Sequence, residues 1–244
     1  MTDARKVVTS VIASVVVVGV VVGLVLTFAV IPLPDFPHLA DNPDSQIQGR
    51  VAFAGWEDGD LCVSVVQASG GEPTEVLCDG NIGFGEFTPG WTPDGLLIIE
   101  EFGPRDEDFR LVDPVTGETV DRIAFQMDEG GPAGRDFAVY EDGLNLFIEG
   151  DRDAAQIILE DAEGNERIAL EAEGPADYRF EWARLSPDRQ WALVQDSEGR
   201  LIVIATEGDP NARILAEDVD GWMAAAWFIE GYEEGTWDPR TESG

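Results

Sequence analysis

From Val7 to Val30 the chain is one apolar run without a charge, whereas from Gly49 onward apolar residues come in short runs broken by glycine- and aspartate-bearing turns. The two patterns predict different structures. A lone segment in hydrocarbon must satisfy its own backbone hydrogen bonds, so the first run is expected to be helical despite its valines. At about 1.5 Å per residue it extends roughly 36 Å, enough to cross a bilayer core of about 30 Å with some tilt. Arg5 and Lys6 precede the run and the nearest downstream charges are Asp35, Asp41 and Asp44. The positive-inside rule then keeps Met1–Lys6 cytoplasmic and carries the rest of the chain outside. A cleaved signal peptide is the rival reading, but its apolar core is usually about 7–15 residues, and Thr27-Phe28-Ala29 matches a cleavage site poorly. Neither a twin arginine nor a lipidated cysteine stands near the run.

Within the span Gly19, Gly23 and Thr27 are four apart and share one helical face. With Val15, Val16, Val20 and Leu24 around them they resemble the glycophorin-type dimerising helix, in which small residues let two backbones approach. That resemblance implies a homodimer through the membrane helix. Residues 31–48 contain Pro32, Pro34, Pro37 and Pro43 and lose all apolar periodicity, which predicts an extended stalk. His38, the chain's single histidine, falls in it and is expected to be solvated. Residues 238–244 (DPRTESG) read as a frayed tail, leaving 49–237 as one outer domain.

In that domain the apolar runs recur in groups of three. Val51–Gly55, Leu61–Val66 and Thr74–Cys78 form the first group, and Leu96–Ile99, Phe109–Val112 and Thr119–Ala124 the second. Leu144–Ile148, Gln156–Leu159 and Arg167–Leu170 form the third, and Trp191–Val194, Leu201–Ile204 and Ala212–Leu215 the fourth. Alternating or fully apolar runs bounded by turn residues predict strands, and no stretch has helical periodicity. Each group carries a related signature: Trp56-Glu57-Asp58-Gly59, Trp91-Thr92-Pro93-Asp94-Gly95, Tyr140-Glu141-Asp142-Gly143 and Leu185-Ser186-Pro187-Asp188-Arg189. The aspartates are 36, 48 and 46 residues apart, a period that fits a four-stranded propeller blade.

The segments GWTPDGLLII and ARLSPDRQWALV resemble the Trp-Ser-Pro-Asp-Gly signature of TolB-like (PD40, WD40-like) propeller repeats. The likeness covers about Gly49 to Gly231; the second and fourth groups match well, the first and third lack the Ser/Thr-Pro pair. The family also has a glycine hairpin between its later strands, as Gln67–Gly71 and Asp161–Asn165 provide here. The resemblance implies an all-β fold, a small propeller of about four blades. The motif itself is structural: proline presets φ, aspartate bonds the following backbone, glycine takes the left-handed position, and the aromatic packs between blades. The apolar run Trp222–Ile229 has no strands behind it, and the first group lacks a first strand. The C-terminal run is therefore expected to complete the first blade and close the ring; an open stack with free edges is the alternative.

Cys62 and Cys78 lie symmetrically about Gly70 in a predicted hairpin, so a regular register sets them opposite one another as a disulfide. No C-x-x-C or neighbouring base points to redox activity. One histidine and two bridged cysteines exclude a zinc site, and no Ser-His-Asp triad, G-x-S-x-G elbow or phosphate loop is present. The acidic turns at 57–60, 106–108 and 151–153 depart from the twelve-residue calcium loop. No cofactor is implied. With 15 Lys and Arg against 49 Asp and Glu the net charge is −34, which disfavours nucleic acid as a partner. The sequence thus reads as a membrane-tethered, non-catalytic module presenting loops to a protein or peptide. An envelope hydrolase or enzyme accessory using acidic loop residues is the alternative.

Overall fold

Strand formation follows the apolar runs closely. The structure, a computed structural model, describes residues 32–57, 60–78, 89–102, 107–125, 144–151, 154–175, 177–219 and 225–241. Among the described residues, fifteen strands form four antiparallel sheets. The first holds β1 (Arg50–Glu57), β2 (Asp60–Gln67) and β3 (Thr74–Cys78), and the second β4 (Gly90–Trp91), β5 (Leu97–Phe102), β6 (Glu107–Val112) and β7 (Thr119–Phe125). The third holds β8 (Asn145–Asp151), β9 (Ala154–Glu160) and β10 (Glu166–Ala172). The fourth holds β11 (Phe180–Leu185), β12 (Trp191–Asp196), β13 (Leu201–Ala205) and β14 (Arg213–Ala216). The last strand, β15 (Ala226–Phe228), returns to the first sheet, which runs β15-β1-β2-β3. The arrangement is all-β and propeller-like.

Pairing of β15 with β1 is antiparallel, with Val51 opposite Trp227 and Arg50 opposite Phe228. The missing first strand of the first group is therefore supplied by the C-terminus, as expected. Strands β4 and β11, at one edge of the second and fourth sheets, precede their signature turns and lie outside the apolar runs that predict the other strands.

Side chains alternate faces along a strand, so a sheet between two others must be apolar on both. In β1, Val51 and Phe53 pack with Trp191, Leu193 and Trp227 toward the fourth sheet. Ala52 and Ala54 pack with Trp91, Leu97 and Phe228 toward the second. The fourth sheet repeats the device: Leu193 and Val203 face the first sheet, while Val194 and Ile204 face Ile157 and Leu159 of the third. The sheets thus stack third, fourth, first, second. Among the described residues no buried cluster joins the second sheet to the third. The second sheet's remaining face buries Ile98, Phe109, Leu111 and Ile123 beneath Trp237.

Two expectations about the ends are corrected. The proline-rich segment is part of the compact unit from Pro34 onward. Leu39 and Ile47 are fully buried, and the segment bonds the edge of β14: Leu39 N donates to Ile214 O (2.8 Å) and Pro37 O accepts from Ile214 N (2.9 Å). Prolines keep the segment extended, and the apolar residues between them anchor it. His38 accordingly bridges to Ile214 and lies 4.0 Å from Glu217. The C-terminal tail is ordered as far as a 3-10 turn at Pro239–Thr241. Trp237 N donates to Trp91 O (2.8 Å), its ring meets Phe109 edge-on at 5.0 Å, and Arg240 reaches Asp94 at 2.9 Å. Among the described residues no helix is long and apolar enough to cross a membrane. The run Val7–Val30, with Gly19, Gly23 and Thr27, lies outside them, as do Met1–Lys6.

The C-terminal strand is expected to control stability. Phe228→Ala should cost about 3–5 kcal/mol, as large-to-small core changes do, read by denaturant melting. Ending the chain at Gly221 should abolish cooperative unfolding. Ending it at Gly235 should preserve the fold but lower the melting temperature, because Trp237 and Arg240 are lost.

Candidate binding surface

Register places Cys62 opposite Cys78, and the two sulfurs are bonded to each other as the hairpin symmetry predicts. Glu57 and Glu75 bring carboxylates within 4.8 Å of the sulfurs, but the joined thiols leave a metal only two exposed carboxylates there.

The signature residues separate by role. Trp91 is completely buried; its indole donates to Ala226 O (3.1 Å), stacks on Phe228 at 5.3 Å and lies under Arg50. Trp56 occupies the end of β1 and is exposed, so it does not pack between sheets as the aromatic of the motif was expected to. Thr92 Oγ1 accepts Leu96 N (2.9 Å) and Ser186 Oγ accepts Trp191 N (3.1 Å), which closes the two Ser/Thr-Pro-Asp turns equivalently. Asp188 accepts from Ser186 and from Gln190 N. Asp94 likewise meets its turn's hydroxyl, Thr92, and in addition accepts from Arg240, beyond the turn. Pro93 is exposed and Pro187 buried. Gly95 takes φ 81°, and Arg189 takes φ 60° where the motif has glycine. Asp58, Gly59, Asp142 and Gly143 lie outside the described residues.

A second recurring aspartate emerges in the hairpins. Asp113 accepts Val115 N and Thr116 N, Asp161 accepts Glu163 N and Asn165 N, and Asp196 accepts Glu198 N and Arg200 N. Each turn ends on a glycine at positive φ: Gly117, Gly164 and Gly199. The shared text Asp161-Ala162-Glu163-Gly164 and Asp196-Ser197-Glu198-Gly199 was the available signal. At Asp196 the turn becomes a buried cluster. Its carboxylate takes Arg200 Nε at 2.7 Å and the Tyr178 hydroxyl at 3.3 Å, while Arg200 Nη1 donates to Pro34 O at 2.8 Å. Burial, then the charge of Asp196, holds the Tyr178 phenol well above its ordinary range. The cluster fastens the N-terminal segment to the fourth sheet; sequence alone does not reveal it, because Pro34 and Arg200 are distant in the chain.

The third sheet's outer face is different in kind. Phe147, Ile158 and Ile168 pair directly across β8, β9 and β10 and form one apolar row. Phe147 is 44% and Ile168 53% exposed. On one side runs Asn145, Glu160, Glu166, and on the other Glu149, Gln156, Glu171. Asn145 donates to Glu160 (3.1 Å) and Gln156 to Glu171 (3.0 Å). Neither flanking row contains a cation.

No protein-family model matches the chain, and no curated protein does. Solved structures similar to it include TolB from Acinetobacter baumannii (18% identity, 71% of this chain and 43% of that one, TM-score 0.27). An uncharacterized protein from Listeria monocytogenes (10%, 72% and 60%, 0.27) and a protein from Lactobacillus plantarum (18%, 72% and 55%, 0.24) are similar too. The chain spans about half the length of these structures. At such scores the matches place no strand or loop of this chain, and its propeller-like arrangement is read from its own four sheets.

Reduction of Cys62–Cys78 removes a cross-link worth about 3 kcal/mol in the chain-entropy model and is expected to lower the melting temperature by roughly 6–12 °C. Non-reducing mass spectrometry should find the two peptides joined. Acid is expected to loosen both terminal segments. Arg240 beside Asp94 and Asp238, and the Gln46 amide and then Arg213 beside Asp44, hold these carboxyls below their ordinary range. A depressed folded value means stability that is present above the unfolded value of about 3.9 and is lost as pH falls through the folded one. Thermal melts should therefore change little from pH 7 to 5 and decline below about pH 4, less steeply in Arg240→Gln.

Proposed function

We propose that this chain is a non-catalytic binding or scaffold module held at the outer face of a membrane. Val7–Val30 is its anchor, Met1–Lys6 its cytoplasmic tail, and the four sheets a small TolB-like propeller closed through β15. Gly19, Gly23 and Thr27 pair two such anchors in a homodimer. The partner of the outer domain is a protein or peptide.

One observation carries the reading: where the polar chemistry goes. Thr92 and Ser186 close turns; Gln195 donates to Val219 O; Arg200 and Arg213 clamp Pro34 and Asp44. These buried groups hold the scaffold in shape. What the described surface then offers is the apolar row on the third sheet, edged by carboxylates. A rigid frame with an exposed apolar row suits docking better than bond-breaking chemistry.

Protease added to spheroplasts is expected to digest the outer domain and to leave an N-terminal epitope protected. A mature form starting near Val30 would refute the anchor. Crosslinking in the native membrane should trap a defined protein or peptide on the outer domain; recovery of none, with hydrolysis of an envelope substrate instead, would favour the enzymatic alternative.

A further inference from the structure

We infer that the outer face of the third sheet takes a cationic partner segment whose apolar centre is flanked by Lys or Arg on both sides. The inference rests on the binding reading and names the partner's chemistry. Across the sheet, the row Phe147–Ile158–Ile168 lies between two rows that together present Glu160, Glu166, Glu149 and Glu171. Rows two residues apart along a strand are separated by about 6.8 Å. A segment crossing the rows therefore meets carboxylate, hydrocarbon and carboxylate in turn at roughly that spacing. A partner in extended conformation with basic, apolar and basic residues at alternate positions matches all three.

Charge decides between occupants. A second copy would set one pair of acidic rows against another, in a chain already at −34. Like charges at such distance repel, and the repulsion is strongest where an interface excludes water. The side-chain amides of Asn145 and Gln156 each bond one carboxylate oxygen, which orients Glu160 and Glu171 without neutralising them. Ile158 is 8% exposed, so its neighbours already cover the centre of the row, and the accessible apolar surface belongs to Phe147 and Ile168. These two are the contact residues, and the four glutamates set the charge of the partner.

The test uses the full chain in non-ionic detergent and a fluorescein-labelled peptide that repeats the pattern Lys-Ser-Leu-Ser-Lys. One control peptide has Glu for Lys, and another has Ser for Leu. Anisotropy should show binding of the first peptide alone, weakening as salt rises. The double variant Phe147→Ser, Ile168→Ser should bind about tenfold more weakly or worse. The quadruple variant Glu149→Gln, Glu160→Gln, Glu166→Gln, Glu171→Gln should lose most of the affinity and of the salt dependence. A matched quadruple at the exposed Glu72, Glu118, Glu198 and Glu207 should keep wild-type affinity. Equal binding by all variants would overturn the inference, since overall charge would then be the attractant. So would concentration-dependent self-association that the Phe147→Ser, Ile168→Ser variant loses, which would make a second copy the occupant. Melting curves should show the double variant folded at the assay temperature with a modest loss of stability, because Phe147 and Ile168 also cover Ile158. A native-membrane crosslink retained unchanged by the double variant would refute this face and leave the binding reading standing.

Discussion

Strand β1 is the first strand among the described residues, and the edge it turns away from β2 is filled from far along the chain. Ala226–Phe228 supplies the backbone partners, and its side chains then link three sheets. Phe228 and Ala226 go to the second sheet's side, where Trp91 stacks on the first and donates to the carbonyl of the second. Trp227 goes to the fourth sheet's side and donates to Gln48 O. Arg50, opposite Phe228 in register, lies over both the Trp91 and Phe228 rings. Removing this strand would expose the edge of β1 and open both clusters it joins, so the cost is cooperative.

The same solution is repeated on a smaller scale at two other edges. Residues 37–39 bond the free edge of β14, and Thr236 and Trp237 bond that of β4. Non-regular terminal segments thus act as edge covers. A bare sheet edge is a template for association with another chain, and these covers remove two of them. Arg200 and Arg240 fix the covers, one to Pro34 O and the other to Asp94 and Asp238. The aspartate of the second signature therefore connects the last turn of the chain to the second sheet, a duty its counterpart Asp188 does not share.

Local and near-periodic features were legible in the sequence. The strands, the spacing of the signatures and the Cys62–Cys78 pairing depend on alternation, turn chemistry and a short hairpin, all of which act within a few tens of residues. The return of Ala226–Phe228 to β1 was readable because each end showed a complementary deficit. Long-range anchoring was not readable. Pro32–Pro43 looked like a stalk because proline content reports conformation and is silent about burial; Leu39 and Ile47 supply the burial, and only the position of β14 shows it. The tail 238–244 looked frayed for the same reason, since Arg240 gains its value from Asp94. On the outer face of the third sheet, Phe147, Ile158 and Ile168 are 11 and 10 residues apart in sequence. Their meeting in one row is a fact of register, which a one-residue slip would have erased.

Cations are scarce here, and their placement explains how so acidic a chain stays folded. Arg200 and Arg213 are buried beside Asp196 and Asp44, and Arg200 also lies over Phe36 and Tyr178. Guanidinium suits this work because it remains charged when desolvated and presents several donors in a plane. Breaking such a pair leaves an uncompensated buried charge, which is why the partners behave as one unit. Committing these arginines to the interior leaves the face around Phe147 and Ile168 without cations among its six flanking side chains. Arg200 and Arg213 are thereby withheld from that face, and Arg167 of β10 stands opposite Leu159, outside the two flanking rows. On the proposed reading, an exposed apolar row in such a field disfavours a second copy and admits a basic segment, so stability and selectivity would draw on the same distribution of charge.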